Sequence, residues 1–312
     1  MPSHAAMRAD ALADWRRQGT FFLWRSRRIF VASAGAGSTM LLIHGYPTAS
    51  YDWHRLWRPL ASRFRVLAPD LLGLGFSDKP SGHAYRIADH ADMIEDLLSH
   101  TGLRQVHVVA HDLGVSVAQE LLARQLEGQT EYQIRSLVLL NGGLCPEAYH
   151  PRPIQRLLAS PLGPWLGPRM PRRAVERAIR SLFAPGRPPS AELLDHFWQL
   201  ITHNEGLQVA HAAGRFWVDR LEHRDRLVEP LLSRAVPCRL INGSVDPNSG
   251  DHMARRYRAL VPQADIVSLP DVGHWPQIEA PELVIESLLE FVGRHEQGAH
   301  QGAPRVPRPQ CA

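Results

Sequence analysis

Short apolar runs alternate with amphipathic stretches along the first half of this chain. Runs of about four apolar residues are too short for helices and are typical of buried strands. They lie at residues 21–24, 28–31, 40–43, 65–68, 106–109 and 137–140. Helical periodicity fills residues 87–100 and continues again from the turn after residue 109 to about residue 126. Strands that alternate with helices predict an α/β fold with a mostly parallel sheet covered by helices on both faces.

This alternation stops at residues 141–143, Asn-Gly-Gly. Residues 144–232 are helix-patterned and rich in proline, whereas strand-like runs return at residues 238–243 and 264–269. A final helix is predicted at about residues 281–295. We interpret residues 144–232, called the cap segment below, as a helical insertion over the carboxyl edge of the sheet, where open α/β folds bind ligands.

The pattern therefore divides the chain into a split core, an insertion and two ends. We predict a leader at residues 1–19, a core at residues 20–143 and 233–296, the cap segment between them, and a disordered tail at residues 297–312. The tail is rich in Pro, Gly and Gln and has few apolar anchors, which is typical of disorder.

Composition narrows the choice of partners and compartment. The chain has 312 residues, 44% of them hydrophobic, which is enough for a sizeable core. The net charge of +4 comes almost entirely from scattered arginines without a nucleic-acid motif, so we expect no nucleic-acid partner. No apolar stretch approaches membrane-spanning length and no signal-peptide core is present, so we expect no membrane span and a cytoplasmic location. Cys145, Cys238 and Cys311 lack metal-ligand spacing, so we expect neither a disulfide framework nor a metal site.

Asp112 occupies the turn between a predicted strand and a predicted helix. Small residues two positions before and after it, Ala110 and Gly114, allow the sharp turn called a nucleophile elbow. The helix N-terminus directs positive charge toward the side chain at the apex. A carboxylate is already ionised at neutral pH and suits attack on an alkyl carbon that carries a leaving group. The alternative is that Asp112 only caps the helix.

Two further candidates follow the cap segment, each just after a predicted strand. Asp246 ends the strand at residues 238–242, and His274 lies in the loop after residues 264–269. Singly, Asp246 could be a turn residue before a proline and His274 a surface histidine. Together with Asp112 they form a nucleophile, an acid and a histidine at one end of the sheet, which favours a catalytic site.

The loop after residues 40–43 supplies a fourth part of the candidate catalytic site. Residues 44–47, His-Gly-Tyr-Pro, place a glycine beside the backbone N–H of Tyr46. With the backbone N–H of Leu113, directly after Asp112, this group could form an oxyanion hole.

These motifs resemble those of the α/β-hydrolase superfamily, in its epoxide hydrolase and haloalkane dehalogenase branch, from about residue 15 to residue 291. The matching pieces are residues 44–47, 70–80, the Asp112 turn and residues 273–277. Residues 47–53, 75–80 and 141–143 are especially similar to one member of this branch. The resemblance implies an eight-stranded sheet, a helical cap, a triad of Asp112, Asp246 and His274, and no cofactor.

The sequence departs from both branches at the residues that would bind or protonate the leaving group. A haloalkane dehalogenase usually carries halide-binding Asn and Trp at the positions of Tyr46 and Leu113, and neither occupant matches. Three cap tryptophans could donate indole N–H groups instead, or simply pack in the cap; they are Trp165, Trp198 and Trp217. An epoxide hydrolase usually protonates its leaving alkoxide with cap tyrosines, and Tyr149 is the only tyrosine of the cap segment.

We therefore predict a hydrolase in which Asp112 forms a covalent alkyl ester that water activated by His274 and Asp246 then hydrolyses. We expect it to be epoxide hydrolase-like on a small apolar substrate, with a haloalkane dehalogenase-like activity as the alternative. A carboxylesterase or lactonase, in which Asp112 acts as a base or acyl acceptor, stays open as an alternative. So does a non-enzymatic interaction protein on a hydrolase fold. The sequence indicates no oligomeric state.

Overall fold

The computed structural model describes the backbone of residues 11–301 and the side chains of residues 11–296. The strands are β1 (Gly19–Trp24), β2 (Arg27–Ala34), β3 (Thr39–Ile43), β4 (Arg65–Pro69), β5 (Gln105–His111), β6 (Gln133–Leu140), β7 (Cys238–Gly243) and β8 (Asp265–Leu269). They form one sheet in the order β1-β2-β4-β3-β5-β6-β7-β8. β2 pairs antiparallel with β1 and β4, and the other neighbours are parallel. The predicted eight-stranded, mostly parallel α/β fold is confirmed.

Helices connect the strands and fill the region between β6 and β7. The α-helices are α1 (Ala11–Arg17), α2 (His54–Ala61), α3 (Ile87–His100), α4 (Leu113–Leu126), α5 (Pro153–Ala159), α6 (Gly163–Leu166), α7 (Arg172–Arg180), α8 (Ala191–Thr202), α9 (Gly206–Ala213), α10 (Phe216–Glu222), α11 (Arg224–Ser233), α12 (Asp251–Leu260), α13 (Pro276–Glu279) and α14 (Pro281–Gln301). Short 3-10 helices lie at Ser50–Trp53, Pro146–Ala148, Gly167–Arg169 and His203–Glu205. None of the described helices has the length and apolar character that crossing a membrane requires.

The central strands are buried on both faces because helices cover each side of the sheet. All five residues of β3 are buried. Successive residues point to opposite faces, so Leu41 and Val108 belong to one apolar cluster and Leu42 and Val109 to the other. Continuous apolar runs in the sequence are the consequence, and their carboxyl ends meet at one edge of the sheet.

The ends of the chain differ from the sequence-based interpretation. Part of the predicted leader forms α1, because Leu12 and Trp15 are spaced to share one helical face and both are buried against the core. The indole of Trp15 lies 4.7 Å from that of Trp57. At the other end α14 extends to Gln301, into the predicted tail. Residues 1–10 of the leader and 302–312 of the tail lie outside the described residues.

Gly114 provides a test of how closely α4 approaches β3. A Cβ at this position would collide with the carbonyl oxygen of Ile43 and come within 2.8 Å of that of His44. Because neither backbone oxygen can move freely, we expect Gly114→Ala to lower the free energy of unfolding by about 2 kcal/mol or more. Chemical denaturation measures this change.

Gly293 of α14 is the matched control, since it is also helical and no atom lies within 4 Å of an added Cβ. Gly293→Ala should leave the protein unchanged or stabilise it by up to about 1 kcal/mol. Equal effects of the two substitutions would contradict the close approach of α4 to β3.

Candidate active site

The backbone at Asp112 adopts a conformation that residues with side chains rarely occupy. Its φ is +48° and its ψ is −108°, between the end of β5 and the start of α4. The Asp112 amide donates to the carbonyl oxygen of Asn141 at 3.2 Å, which fixes the turn. Such strain persists only where the surroundings enforce it, and it is concentrated at functional sites. The predicted elbow is therefore present as a geometric feature.

Gly45 lets the loop after β3 lie directly against this turn. A Cβ on Gly45 would stand 2.5 Å from the Cβ of Asp112 and 3.1 Å from its Oδ2. This close approach brings the next amide onto the carboxylate, and the Tyr46 N–H donates to Asp112 Oδ2 at 3.0 Å. The Leu113 N–H also donates to the Asp112 carboxylate. Both N–H groups that the sequence predicts for an oxyanion hole thus converge on Asp112.

His274 and Asp246 form a buried ion pair. His274 Nδ1 lies 2.9 Å from Asp246 Oδ2, and both residues are 2% exposed. An ionised carboxylate only accepts, so Nδ1 carries the hydrogen and Nε2 is left for proton transfer. Asp246 Oδ2 also accepts from Asn141 Nδ2 at 3.0 Å and from the Ser249 hydroxyl at 2.7 Å. Asn141 therefore connects the Asp112 turn to the acid of the pair.

The electrostatics of the three side chains are coupled through burial. Burial lowers the pKa of His274, but the negative charges of Asp246 and Asp112 outweigh it and raise the pKa to about 9. Burial raises the pKa of Asp246, yet the charge of His274 and the hydrogen bonds bring it below its ordinary value. At neutral pH the pair is therefore an imidazolium with a carboxylate.

The pKa of Asp112 is set by a different balance of effects. Burial raises its pKa, while the charges of His274 and Arg220 and the N–H groups of Tyr46 and Leu113 oppose this rise without cancelling it. Its carboxylate is thus surrounded by groups that favour the ionised form.

The loop that carries His274 is held by one buried carboxylate. Glu279 accepts from the backbone N–H groups of Gly273 and Ala184 at 2.8 and 2.9 Å, and from that of Trp275 at 3.1 Å. Because the amides on both sides of His274 are bound to the same side chain, the position of the imidazole is fixed from its backbone. This role of Glu279 was not predicted from the sequence.

A cavity of about 640 Å³ opens above this site. Asp112, His274, Tyr46 and Tyr149 contribute to its wall. Apolar side chains of the cap segment form much of the remainder, including Ile154, Leu158, Leu166, Met170, Val175 and Ile179. Such a cavity suits a predominantly apolar small molecule, with polar groups concentrated at one end.

Tyr149 is the cavity residue with the most distinctive hydrogen bonding. Its hydroxyl oxygen accepts from Gln155 Nε2 at 2.9 Å and from Asn248 Nδ2 at 3.0 Å. Burial and the charge of Asp112 raise the pKa of Tyr149, whereas Arg220 and the two amides act to lower it. With its oxygen accepting two hydrogen bonds, the phenol retains its own proton for donation to a third group.

Comparison with known proteins places the fold and the motifs in one family. Residues 38–281 match the family described as the alpha/beta hydrolase fold. The chain belongs to the α/β-hydrolase family. The predicted resemblance to this family is confirmed, and the sheet with its loops at the carboxyl ends is the arrangement that the family shares.

Two relatives span nearly the whole of this α/β-hydrolase. LipZ of Mycobacterium tuberculosis is 35% identical over 287 residues, which cover 92% of this chain and 99% of LipZ. The mesoderm-specific transcript protein of Mus musculus is 37% identical over 297 residues, which cover 91% of this chain and 88% of that protein. The latter is the branch member whose motifs residues 47–53, 75–80 and 141–143 resemble.

Solved structures of both predicted branches share the fold. The haloalkane dehalogenase DatA from Agrobacterium tumefaciens superposes with a TM-score of 0.77 at 19% identity, covering 89% of this chain and 96% of DatA. The epoxide hydrolase CorEH superposes with a TM-score of 0.71 at 21% identity, covering 88% of this chain and 98% of CorEH. At these identities the likeness concerns the fold of the α/β-hydrolase and not its substrate.

The cap tryptophans are not equivalent in this α/β-hydrolase. Trp165 lines the cavity, but it is 60% exposed and the Arg169 guanidinium stacks on its ring at 5.0 Å. Trp198 and Trp217 do not line the cavity and instead pack against the two apolar clusters. Their role as leaving-group donors stays a prediction.

The side chains of Tyr46 and Leu113, whose amides are predicted to form an oxyanion hole, are held by other contacts. The Tyr46 hydroxyl donates to the carbonyl oxygen of Ala210 at 3.0 Å, which ties it to α9. The Leu113 side chain is fully buried in the core. Neither side chain offers a donor to a halide above Asp112.

Two other features contain none of the predicted site residues. One is a cavity of about 400 Å³ whose wall includes Tyr51 and His54. The other is a group of ligand atoms on Asp219, Glu222 and His223, which lie within 4.8 Å of one another and could meet at a cation. Glu222 and His223 are exposed, and none of the three lines the Asp112 cavity.

The pH dependence of stability tests the buried ion pair. The pKa of His274 rises from 6.5 in the unfolded chain to about 9 in the folded protein. A raised histidine pKa stabilises fully below the unfolded value, and this contribution is lost as the pH rises through the folded value. Relative to His274→Gln, the native protein should therefore lose up to about 3 kcal/mol of unfolding free energy across this window.

Asp246→Asn is the companion variant, because it removes the charge that raises the His274 pKa and retains the shape. It should lose the same pH dependence. A stability difference between native protein and His274→Gln that does not vary from about pH 6 to about pH 9 would contradict the ion pair.

Proposed function

We propose that this protein is an epoxide hydrolase-like enzyme in which Asp112 forms a covalent alkyl ester. The proposal is supported by the carboxylate at the elbow, by two N–H groups on its oxygen, and by the His274–Asp246 pair on the same cavity. In this assignment the three residues act as nucleophile, base and orienting acid.

The hydrogen bonding of Tyr149 is the observation that carries the choice of an epoxide. An opened epoxide leaves an alkoxide, which requires a proton, whereas a halide leaves as a stable anion. Tyr149 lines the cavity with its oxygen occupied by two amide donors, so its proton is available to a leaving oxygen. The amides also stabilise the phenolate that remains.

The first half-reaction begins with attack of an Asp112 carboxylate oxygen on an epoxide carbon. The ring C–O bond breaks, and its electron pair stays on the ring oxygen, which takes the proton of Tyr149. The products are a hydroxyalkyl ester on Asp112 and a phenolate on Tyr149. The ester is neutral, so one of the negative charges that raise the pKa of His274 is removed at the stage when a base is needed.

Because the pKa of His274 falls when Asp112 becomes a neutral ester, its Nε2 proton passes to solvent. In the second half-reaction the neutral imidazole then takes a proton from water at Nε2, and the hydroxide attacks the Asp112 carboxyl carbon. The N–H groups of Tyr46 and Leu113 stabilise the oxyanion that forms. When the ester bond breaks, the leaving oxygen takes the proton from His274. The regenerated Asp112 carboxylic acid returns a proton to the Tyr149 phenolate, and the diol is released. Since Asp112 is charged again, the pKa of His274 rises and its Nε2 recovers a proton from solvent, which restores the enzyme.

The haloalkane dehalogenase alternative is less well supported. Of the four predicted cap donors, only Tyr149 and Trp165 line the cavity. Trp165 is mostly exposed, and water competes for an exposed indole N–H far more effectively than for a buried one. A halide would therefore lack the enclosed pair of donors that makes its departure favourable.

Trapping of the covalent intermediate tests the nucleophile. In His274→Gln the first half-reaction should run and the second should stall, so that incubation with an epoxide raises the intact mass by one alkyl adduct. Peptide mapping should locate the adduct on Asp112. An adduct on another residue, or aryl-ester hydrolysis that survives Asp112→Ala, would instead favour an esterase or lactonase.

Substitution of Tyr149 tests the leaving group. Tyr149→Phe should slow epoxide ring opening by roughly two to four orders of magnitude, because the alkoxide loses its proton donor. Turnover of haloalkanes, if any occurs, should change little in the same variant. Tyr132→Phe is a control, since Tyr132 is also buried but bonds to Glu95 and Leu121 away from the cavity. Equal losses for both substrate classes in Tyr149→Phe would contradict the assigned acid.

A further inference from the structure

Arg220 of α10 is a fully buried cation that contacts the backbone of Asp112 and the ring of Tyr149, the two reacting residues of the proposed site. Its Nη2 donates to the backbone carbonyl oxygen of Asp112 at 3.3 Å, and its Nε donates to the Ser116 hydroxyl at 2.7 Å. The guanidinium carbon lies 5.0 Å from the ring centre of Tyr149 and 5.1 Å from that of Phe216. A residue of the cap segment thus reaches beneath the nucleophile of the core.

This cation has no adjacent carboxylate that neutralises it directly. No ion pair of Arg220 with a carboxylate occurs among residues 11–296, and its buried Nη1 has no hydrogen-bond partner there. The neighbouring Asp219 bonds instead to the Ile87 amide at 2.7 Å and lies 3.2 Å from His223. An uncompensated buried charge costs several kcal/mol, so a compensating charge nearby is expected.

The ionisable groups that act on Arg220 are Asp112 and Tyr149. Burial lowers the pKa of Arg220, and this effect is opposed by the Asp112 carboxylate and, when it is ionised, by Tyr149. In return, Arg220 acts to lower the pKa of Asp112 and the pKa of Tyr149. The guanidinium is therefore electrostatically coupled to both.

The Asn-Gly-Gly sequence at residues 141–143 makes room for this arrangement. A Cβ on Gly143 would collide with Arg220 Nη1, and a Cβ on Gly142 would lie 2.5 Å from Val115 Cγ2 and 3.0 Å from the Asp112 carbonyl oxygen. Gly143 thus leaves space for the guanidinium, and Gly142 lets the same loop lie against the Asp112 turn.

We propose that Arg220 is a positioning residue that stabilises the negative charge of the reaction as this charge moves from Asp112 to Tyr149 and back. This inference rests on the proposed epoxide hydrolase-like function. Before ring opening the anion is the Asp112 carboxylate. After it Asp112 is a neutral ester and the anion is the Tyr149 phenolate, so the buried cation faces one negative charge both before and after ring opening.

This role of Arg220 requires a reaction in which the charge of the leaving group stays in the site. When an epoxide opens, the new charge resides on Tyr149, within reach of Arg220. When a halide leaves, the charge departs with the halide and Arg220 faces a neutral ester and a neutral phenol. Arg220 therefore favours substrates whose leaving oxygen is protonated by Tyr149.

The test is the ionisation of Tyr149 in the trapped ester. In His274→Gln loaded with an epoxide, near-ultraviolet absorbance should show one tyrosinate for each alkyl adduct on Asp112 and none after Tyr149→Phe is added. Adding Arg220→Met should raise the pH at which this tyrosinate forms by about one unit or more, because the compensating cation is gone. With Arg220→Lys instead, the tyrosinate should form at nearly the same pH as with Arg220, because lysine keeps the cation.

Kinetics supply a second readout. Arg220→Met should slow ester formation by roughly two orders of magnitude and move the acidic limb of kcat/KM to higher pH, since Asp112 then protonates more easily. Its thermal stability should change little, because removing a costly buried cation offsets the loss of its attraction to Asp112. Gly143→Ala, which displaces the guanidinium, should show the same kinetic change with Arg220 still present.

The outcomes separate this inference from the proposed function. Absence of any adduct on Asp112 would overturn both. An adduct with no tyrosinate, or with the same tyrosinate pKa in Arg220→Met as in the parent, would overturn the role of Arg220 alone. A loss of stability with unchanged pH profiles would mean that Arg220 only packs the cap segment against the core.

Discussion

The site depends on the backbone conformation of a single residue. Asp112 combines a positive φ with a side chain, and it does so because β5, α4 and the loop after β3 meet there. Gly45 and Gly114 allow this meeting, and their absence of side chains lets two backbone segments lie against the turn. The strain is thereby compensated by packing across three elements, and the carboxylate is presented to the cavity in a fixed direction.

Charge balance is the second organising feature. Asp112, Asp246, His274 and Arg220 are each nearly or fully buried, and they bring together two carboxyl groups and two basic groups. In a region from which water is largely excluded, such groups are stable only together. A reaction that moves one negative charge from Asp112 to the adjoining Tyr149 changes this balance less than a reaction that removes the charge.

The sequence predicts the Asp112 turn and the loops of Asp246 and His274 because the signals for them are local. Asp112 lies between a strand and a helix, with Ala110 and Gly114 two positions away on either side. Asp246 and His274 each come just after a strand. Arg220 could not be found in this way, since its partner Ser116 is 104 residues earlier and arginines are frequent in the chain. Glu279 is only five residues after His274, but its role lies in backbone N–H groups that a residue pattern does not display. Similarly, α1 was missed because two buried apolar residues stand among polar ones.

The central claim is that a carboxylate oxygen of Asp112 bonds to the substrate. A single turnover in heavy-oxygen water, with enzyme in excess over an epoxide, tests it most directly. The account predicts that the heavy oxygen appears in the Asp112 carboxylate, while the diol receives an oxygen that came from the enzyme. Heavy oxygen in the diol of the first turnover, with none in Asp112, would mean that water attacks the epoxide directly and would contradict the account.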